Sequence, residues 1–376
     1  MSKGKILVTG GSGFIGSYVV DKFVEMGFDV RVLDNLEPQV HGDEEKGTDG
    51  WPLYANRNAE LVLGDVRDFE LIKKCLDGIT HVVHLAGLVG VGQSMIQVIR
   101  YTSSNDLGTA TLLEAISEAK QVERIVVASS ISIYGESFYV NSRGDLIAPP
   151  MRSIEQLKGR QWDIIHNGEV LTPVATREDK ELLPPNIYAV CKYVCERQSL
   201  IIGQALGIPT IPLRLFNTYG PRQALSNPYT GVAAIFASRL LNNQSPLIYE
   251  DGKQRRDFIH VKDVARAITM VTNSAKQVWE PYNVGTGKYV TIEYIARCLT
   301  GLMKKNIEPT IIGKYRVGDI RHCYSDSTKI TKAFGFSAKI SFERGMADYI
   351  QWLTGQQSID RQVECVNFLT GSKLVV

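Results

Sequence analysis

The sequence predicts an α/β fold, a doubly wound parallel sheet with a smaller mixed α/β C-terminal domain. Three observations carry this expectation. Short β-rich runs alternate with longer segments of helical apolar spacing through the first half of the chain, the pattern of a parallel sheet covered on both faces. A glycine-rich turn separates the first run from the first helical segment. After residue 218 the strict alternation stops, as a second, smaller domain requires.

Composition narrows the class. The 376 residues exceed one average domain of roughly 150 residues. A content of 44% hydrophobic and 22% charged residues belongs to a chain that buries a core. Lys and Arg (42) nearly balance Asp and Glu (40), for a net charge of +2, so neither nucleic acid nor a membrane surface is expected as a partner. The six cysteines, Cys75, Cys191, Cys195, Cys298, Cys323 and Cys365, form no Cys-x-x-Cys pair, and neither a disulfide framework nor a metal site is expected. The N-terminus leads straight into an apolar run without signal-peptide anatomy. The longest apolar stretch, 82–91, is broken by His84, Gly87 and Gly90 and is too short to span a bilayer. The expected location is the cytoplasm.

In chain order, strands are expected over 6–8, 30–33, 60–63, 81–84, 124–128 and 210–215, and helices over 14–26, 106–119 and 187–206. Residues 37–58 are polar and read as a long loop. Residues 139–185 hold Pro149, Pro150, Pro173, Pro184 and Pro185 in weakly patterned sequence; such an insert is a lid, a small subdomain or a partner contact. The expected division is a nucleotide-binding unit of 1–218 plus about 261–287, and a second unit of 219–260 plus about 288–355. The tail 356–376 has no strong periodicity and receives no assignment.

The run from Thr9 to Gly16 places Gly10, Gly13 and Gly16 between strand and helix. That spacing permits a tight turn, a close approach of the backbone to a pyrophosphate, and packing of helix on strand, the Rossmann fingerprint. The helix N-terminus then offers free N–H groups to the phosphates. Asp34 ends the second strand, where a carboxylate accepts hydrogen bonds from a ribose diol and repels a 2′-phosphate. NAD is therefore expected rather than NADP. Gly64, Asp65 and Val66 end the third strand, beside an adenine; Asp65 equally suits a helix cap before residues 69–76. His84, Leu85, Ala86 and Gly87 end the fourth, where small residues let a dinucleotide lie across the strand ends. His81 and His84 read as packed or hydrogen-bonded groups rather than metal ligands.

Tyr188 and Lys192 stand at i, i+4 on one helical face. A free phenol, with a pKa of about 10, is too weak an acid to serve as a base at neutral pH; a neighbouring ammonium favours the phenolate. Ser129 and Ser130 end the fifth strand, at the crevice where ligands bind, and Ser130 can donate a hydrogen bond to a reacting oxygen. The three elements in this order point to proton transfer at an alcohol beside a nicotinamide.

From about Lys5 to Trp352 the chain resembles the extended short-chain dehydrogenases/reductases of the nucleotide-sugar epimerase/dehydratase group. The likeness rests on Thr9 to Gly16, Ser129 to Gly135, Tyr188 to Lys192, and the runs 214–221 and 256–261. It implies a catalytic trio of Ser130, Tyr188 and Lys192. It implies a cofactor set of Gly10, Gly13, Phe14, Ile15, Gly16, Asp34, Asn35, Asp65, Val66, Leu85, Ala86, Gly87, Asn105, Tyr188 and Lys192, with Asn105 near the nicotinamide. For the substrate, a nucleotide-diphosphate sugar, it implies Ser130, with Asn217, Arg256 and Arg316 at the diphosphate and Tyr249 and Asp319 at the nucleoside. An ion pair of Arg256 with Asp257 or another surface acid is the alternative for that arginine.

Dehydratases of the group carry an acid pair directly after the catalytic hydroxyl residue, and its decarboxylases a glutamate at the second of those positions. Here Ile131 and Ser132 occupy them, which leaves reversible oxidation at C4. The runs 34–42, 89–95, 222–231 and 318–322 resemble a narrower set, the dTDP-L-rhamnose 4-epimerase type. Members of that type carry a Cys-rich knuckle around 160–175; this chain has none there, so zinc is not expected. The UDP-galactose type has a lysine at the position of Val89. The rivals are another 4-epimerase of UDP-glucose/galactose type, a 4-dehydrogenase or ketoreductase, and a dinucleotide-sensing binding protein. A homodimer through helices around 93–117 and 187–206 is expected.

Overall fold

The computed structural model describes residues 4–42 and 45–376. Residues 1–3 and, within the expected loop 37–58, residues 43 and 44 lie outside the described residues. Seven parallel strands form the main sheet: β1 (Lys5–Thr9), β2 (Asp29–Asp34), β3 (Glu60–Leu63), β4 (His81–His84), β5 (Arg124–Ser130), β6 (Thr210–Leu215) and β7 (Tyr282–Val284), in the order β3-β2-β1-β4-β5-β6-β7. The order reverses between β1 and β4, which opens a crevice at the carboxyl ends of the strands. The doubly wound sheet is as expected. The sheet was expected to reach six or more strands; β7 itself had no expected bounds, because three residues are too few to display a period.

Helices α1 (Phe14–Glu25) and α5 (Val261–Thr272) cover one face, and α2 (Phe69–Cys75), α3 (Gly108–Glu118) and α4 (Ile187–Leu206) the other. The alternation of a strand explains the division: Ile6 and Val8 pack with Val19 and Phe23 of α1, and Leu7 between them packs with Ile72, Leu112 and Ile116. A second core gathers Phe236, Ile295, Leu299, Met346 and Tyr349 from three further helices.

The segments without clear periodicity are ordered by other means. In the 37–58 region Trp51 and Ala55 join the core beside α1, and the Arg57 guanidinium ties the turn to Asp49 (2.9 Å) and to the carbonyl of Ala55 (2.6 Å). The 139–185 insert forms a small three-stranded sheet, a hairpin and the short helix Ile154–Lys158 around Tyr139, Ile164 and Leu171. The tail folds as a helix, Gln362–Gly371. Among the described residues no helix is long and apolar enough to cross a membrane.

Candidate functional site

A cavity of about 630 Å³ runs along the carboxyl ends of the strands and on to the second core. Every cofactor, catalytic and substrate residue expected from the sequence lines it, except Asn105. Asn105 sits in a wide π-type turn, Thr102–Leu107. Its Nδ2 donates to the Leu88 carbonyl (3.1 Å) and its Oδ1 accepts the Leu88 N–H (2.7 Å). Gly87 passes in front at φ +156°, and a Cβ there would come within 3.0 Å of that Oδ1. Asn105 therefore pins the wall of the cavity from behind.

The dinucleotide cradle fits its expected cofactor. Gly10 turns at φ +70°, and a Cβ on it would meet the Ala86 nitrogen at 2.7 Å. A Cβ on Gly16 would overlap the Gly10 carbonyl oxygen. α1 starts after Gly13 with no side-chain cap, so its first N–H groups stay available to an anion. Asp34 is buried and oriented, its two oxygens accepting the Ser12 and Leu36 N–H groups at 2.9 Å each. Asp65 is held by Arg67 (2.7 and 2.8 Å) and Asn35 (3.2 Å), and the Arg67 hydrogen bonds bring its carboxyl down to about 2. The cap of α2 is Asp68, which accepts the Leu71 N–H at 3.0 Å. His84 bridges the hydroxyls of Thr9 (2.7 Å) and Thr109 (3.0 Å). Burial drives its pKa to about 3, so it is a neutral strut between β4 and α3.

α4 carries the next group. The Asn186 side chain caps its start by accepting the Ala189 N–H (3.0 Å), and Gly207 ends it at φ +68°. The Tyr188 N–H donates to Ser94 Oγ (3.0 Å), and Lys192 Nζ donates to the Ala128 carbonyl at the end of β5 (3.0 Å). Ser130 Oγ accepts from both the N–H (3.2 Å) and the hydroxyl (2.9 Å) of Ser132. With its acceptor positions used this way, Ser130 has its own proton to donate.

One turn deeper, Glu196 accepts from Arg214 Nη2 (2.6 Å) and Nε (3.1 Å) and from the Ser129 hydroxyl (2.6 Å). Arg214 Nη1 donates to the Tyr134 hydroxyl (2.8 Å), which donates to Asn283 Oδ1 (2.7 Å). Glu196 was missed in the sequence, although it continues the four-residue spacing of Tyr188 and Lys192.

At the far end, the Arg316 guanidinium lies 4.5 Å over the Tyr249 ring. Asp319 stands between two arginines, 3.6 Å from Arg256 Nη2 and 3.7 Å from Arg316 Nε, beyond hydrogen-bond length. Arg256 is not paired with Asp257. It donates to the carbonyls of Arg255 (3.0 Å), Arg321 (2.9 Å) and Ile320 (2.6 Å). Asp257 accepts from the Thr286 and Ser325 hydroxyls, at 2.6 Å each. Among the described residues, five buried side-chain atoms that lack a protein hydrogen-bond partner belong to residues lining this cavity: Asn217 Oδ1, Gln223 Oε1, Gln254 Oε1, Arg316 Nε and Gln362 Oε1. Buried polar groups are nearly always paired, so this concentration marks a place for a polar ligand. The three glutamines lie in no motif and could not be picked out from sequence.

Residues 6–155 and 166–285 match the NAD dependent epimerase/dehydratase family. The chain belongs to that family. It is 33% identical to the dTDP-L-rhamnose 4-epimerase of Burkholderia thailandensis, over 95% of this chain and 96% of the relative. Among solved structures it superposes with TM-score 0.76 on the UDP-N-acetylglucosamine 4-epimerase of Methanobrevibacter ruminantium in complex with UDP-N-acetylmuramic acid, at 28% identity over 95% of this chain and 100% of that one. With the UDP-glucose 4-epimerase of Thermus thermophilus in complex with NAD the TM-score is 0.73, at 28% identity over 93% and 99%. The family resemblance seen in the sequence is borne out. The chain is an enzyme of the extended short-chain dehydrogenase/reductase type, acting on nucleotide sugars with NAD as cofactor.

This family member ties its insert to the second core with charge. Arg321, fully buried, donates to Asp163 (3.0 Å), Glu250 (2.9 Å) and Asp251 (2.7 Å). Arg152 pairs with Glu250 at 2.9 Å. Glu136 accepts the Arg321 N–H (2.7 Å) and the Tyr139 hydroxyl (2.9 Å). His322 lies 3.9 Å from Asp163, and burial lowers its pKa to about 4. Asp163 lies in the stretch 160–175, which holds no cysteine. Among the described residues, no group of three or more His, Cys, Asp or Glu is placed to hold a metal ion.

Proposed function

We propose that the enzyme is a nucleotide-sugar 4-epimerase that converts dTDP-L-rhamnose to dTDP-6-deoxy-L-talose. The observation that carries the reaction type is the pair Ile131 and Ser132 beside Ser130 in the cleft. An acid at either place would serve dehydration or decarboxylation; here the second position is a hydroxyl whose proton goes to Ser130. When bound, NAD supplies a reversible acceptor for the C4 hydride, so that C4 can invert through a transient 4-keto sugar. Tyr188 takes the proton of the C4 hydroxyl and later returns it. Ser130 donates a hydrogen bond to the same oxygen as charge builds there. Lys192, with one of its three N–H bonds held by Ala128, keeps two for the ribose side and for Tyr188. Asn217, Arg256 and Arg316 hold the diphosphate, where guanidinium forks suit phosphate, and Tyr249 and Asp319 meet the nucleoside. Cofactor and substrate then divide between a unit of 1–218 with 261–287 and a unit of 219–260 with 288–355, the second lending Ile259, Ile330 and Phe336 to the first core.

The substrate choice is supported by the near full-length likeness to a dTDP-L-rhamnose 4-epimerase. The second reading is a 4-epimerase of UDP-sugars, favoured by the neighbour solved with NAD. A homodimer is part of the proposal: Ile99, Leu107, Val190 and Ile201 are exposed on the two helical stretches expected to pair.

Incubation with dTDP-, UDP- and GDP-sugars, followed by NMR, tests this. Inversion at C4 is expected with dTDP-L-rhamnose. A deuterium label at C4 stays at C4, no solvent deuterium enters C3 or C5, and no free NADH builds up. Accumulating NADH would identify a dehydrogenase instead. A monomer mass at micromolar concentration would remove the dimer.

A further inference from the structure

Of residues 356–376, Gln362 lines the cleft, and the rest of the tail packs beside it. After the helix Gln362–Gly371 the chain turns back and pairs with 315–317. The N–H groups of Tyr315 and Val317 donate to the carbonyls of Val376 and Leu374, both at 2.9 Å, and the Val376 N–H donates to the Tyr315 carbonyl at 3.1 Å. Arg316 is the middle residue of that pairing. Leu369 packs on Gly92, next to Gly90 and Val91 of the cavity lining; a Cβ on Gly92 would lie 3.0 Å from the Leu369 Cδ1. Cys365, Leu369 and Val375 are buried, with Tyr229 and Tyr249 packed on them. The connector is fixed as well: Asp360 pairs with Arg239 (2.8 Å), and the Ile359 N–H donates to Ser226 Oγ (3.0 Å). The tail is thus anchored to residues of the cavity wall, Tyr229, Tyr249 and Arg316.

Gln362 is the polar group the tail brings to the cavity. It is only 7% exposed, it lines the cavity, and its Oε1 has no hydrogen-bond partner. Its backbone N–H is already used, donating to Asp360 Oδ1 at 3.0 Å. An unmade acceptor at such burial is unfavourable, and a ligand that arrives with a donor removes the penalty. Tyr249, Leu247, Phe236 and Ile292 line the same cavity and offer the flat, apolar surroundings a base requires. Gln362 is neutral, which suits a nucleoside, whereas Arg316, which lines the same cavity, suits the phosphates.

We propose that Gln362 is a nucleotide-binding residue and that the C-terminal tail forms part of the nucleoside subsite. Gln362 Oε1 accepts a hydrogen bond from the nucleoside, either a base N–H or a ribose hydroxyl, while the tail strand holds Arg316 in place. This inference rests on the proposed nucleotide-sugar function.

The test is calorimetric titration of the NAD-loaded enzyme and of Gln362→Met, which keeps the side-chain length and removes the acceptor. The probes are dTDP, UDP and inorganic pyrophosphate. A rise in Kd of about tenfold, the order of one hydrogen bond, is expected for the nucleotides, with pyrophosphate binding and bound NAD unchanged. Weakening of both nucleotides assigns a donor they share; weakening of UDP alone assigns the ribose 2′-hydroxyl. Equal nucleotide affinities in variant and wild type overturn the inference and leave the proposed function standing. An equal loss for pyrophosphate overturns it too, because Gln362 then acts only through Arg316. A wild-type enzyme that binds neither nucleotide overturns the proposed function itself. Independently of any variant, hydrogen exchange over 362–371 in the wild type must slow when dTDP or UDP is added; unchanged exchange removes the tail from the site.

Discussion

Glu196 accepts the Ser129 hydroxyl at 2.6 Å, and in doing so ties α4 to the strand end that carries Ser130. The same carboxylate holds Arg214 of β6 through two hydrogen bonds. Tyr188 and Lys192 lie two turns and one turn before it on the same helix. Three elements of the candidate active site thus share one buried anion, and the spacing of Ser130 and Tyr188 depends on it.

Glu196→Ala leaves the Arg214 guanidinium buried without its carboxylate. Breaking a buried pair from one side costs about 3–5 kcal/mol. The urea midpoint is expected to drop accordingly. A midpoint unchanged from wild type would show that this pair does not join the three elements.

Tyr188→Phe keeps the ring, which packs against Tyr101 and Cys191, and removes the group assigned to the proton. Turnover is expected to fall by at least about a hundredfold, the low end of acid–base effects, with bound NAD retained. Near-normal turnover would take Tyr188 out of its role.

Asp34→Ala is expected to weaken NAD and to narrow the preference over NADP. Part of the loss is structural, since the carboxylate also holds the Ser12 and Leu36 N–H groups. Asp34→Asn keeps an acceptor without the charge, so it should retain more NAD affinity than the alanine variant while losing discrimination. Titration of both cofactors measures this, and equal discrimination in all three proteins would refute the ribose assignment.

Acid stability follows from two buried histidines. His84 and His322 titrate near 3 and 4 in the folded chain because burial opposes their charge, against about 6.5 when unfolded. Below about pH 6.5 the unfolded chain therefore binds more protons, and stability falls as pH falls, towards about 4 for His322 and about 3 for His84. Each contributes a slope of up to about 1.4 kcal/mol per pH unit. His84→Gln should give a shallower decline between about pH 6 and 4 in denaturant titrations. Curves parallel to wild type would contradict the neutral, buried assignment.

The dinucleotide half of the molecule was legible because its determinants are local. A strand buried on both faces reads as a short apolar run, the Gly10–Gly16 turn needs residues without a Cβ within one loop, and Tyr188 and Lys192 share a helix face through four-residue spacing. The Ile187–Leu206 helix was expected with the bounds it has, and in the structure the Asn186 cap and Gly207 fix its two ends. Asn105 was legible as a residue of the region and not as a pin of the Leu88 loop, because its partner lies across a turn whose geometry has no sequence period.

By itself, then, the sequence determined the parallel sheet, the glycine turn after its first strand, Ser130, Tyr188 and Lys192 as candidates that the fold brings to one cavity, and the absence of acids at 131 and 132. Each of these follows from residue type and short-range spacing. Only the tertiary structure decided that Asp257 is held by Thr286 and Ser325 rather than by Arg256, that Arg321 gathers Asp163, Glu250 and Asp251 into the joint of the insert, and that the tail returns to pair with Arg316 and carries Gln362 into the cavity. These are contacts between residues 29 to 158 positions apart. Such pairings are selected by the cost of leaving a buried charge or polar atom unsatisfied, and that cost exists only once the chain has folded around it.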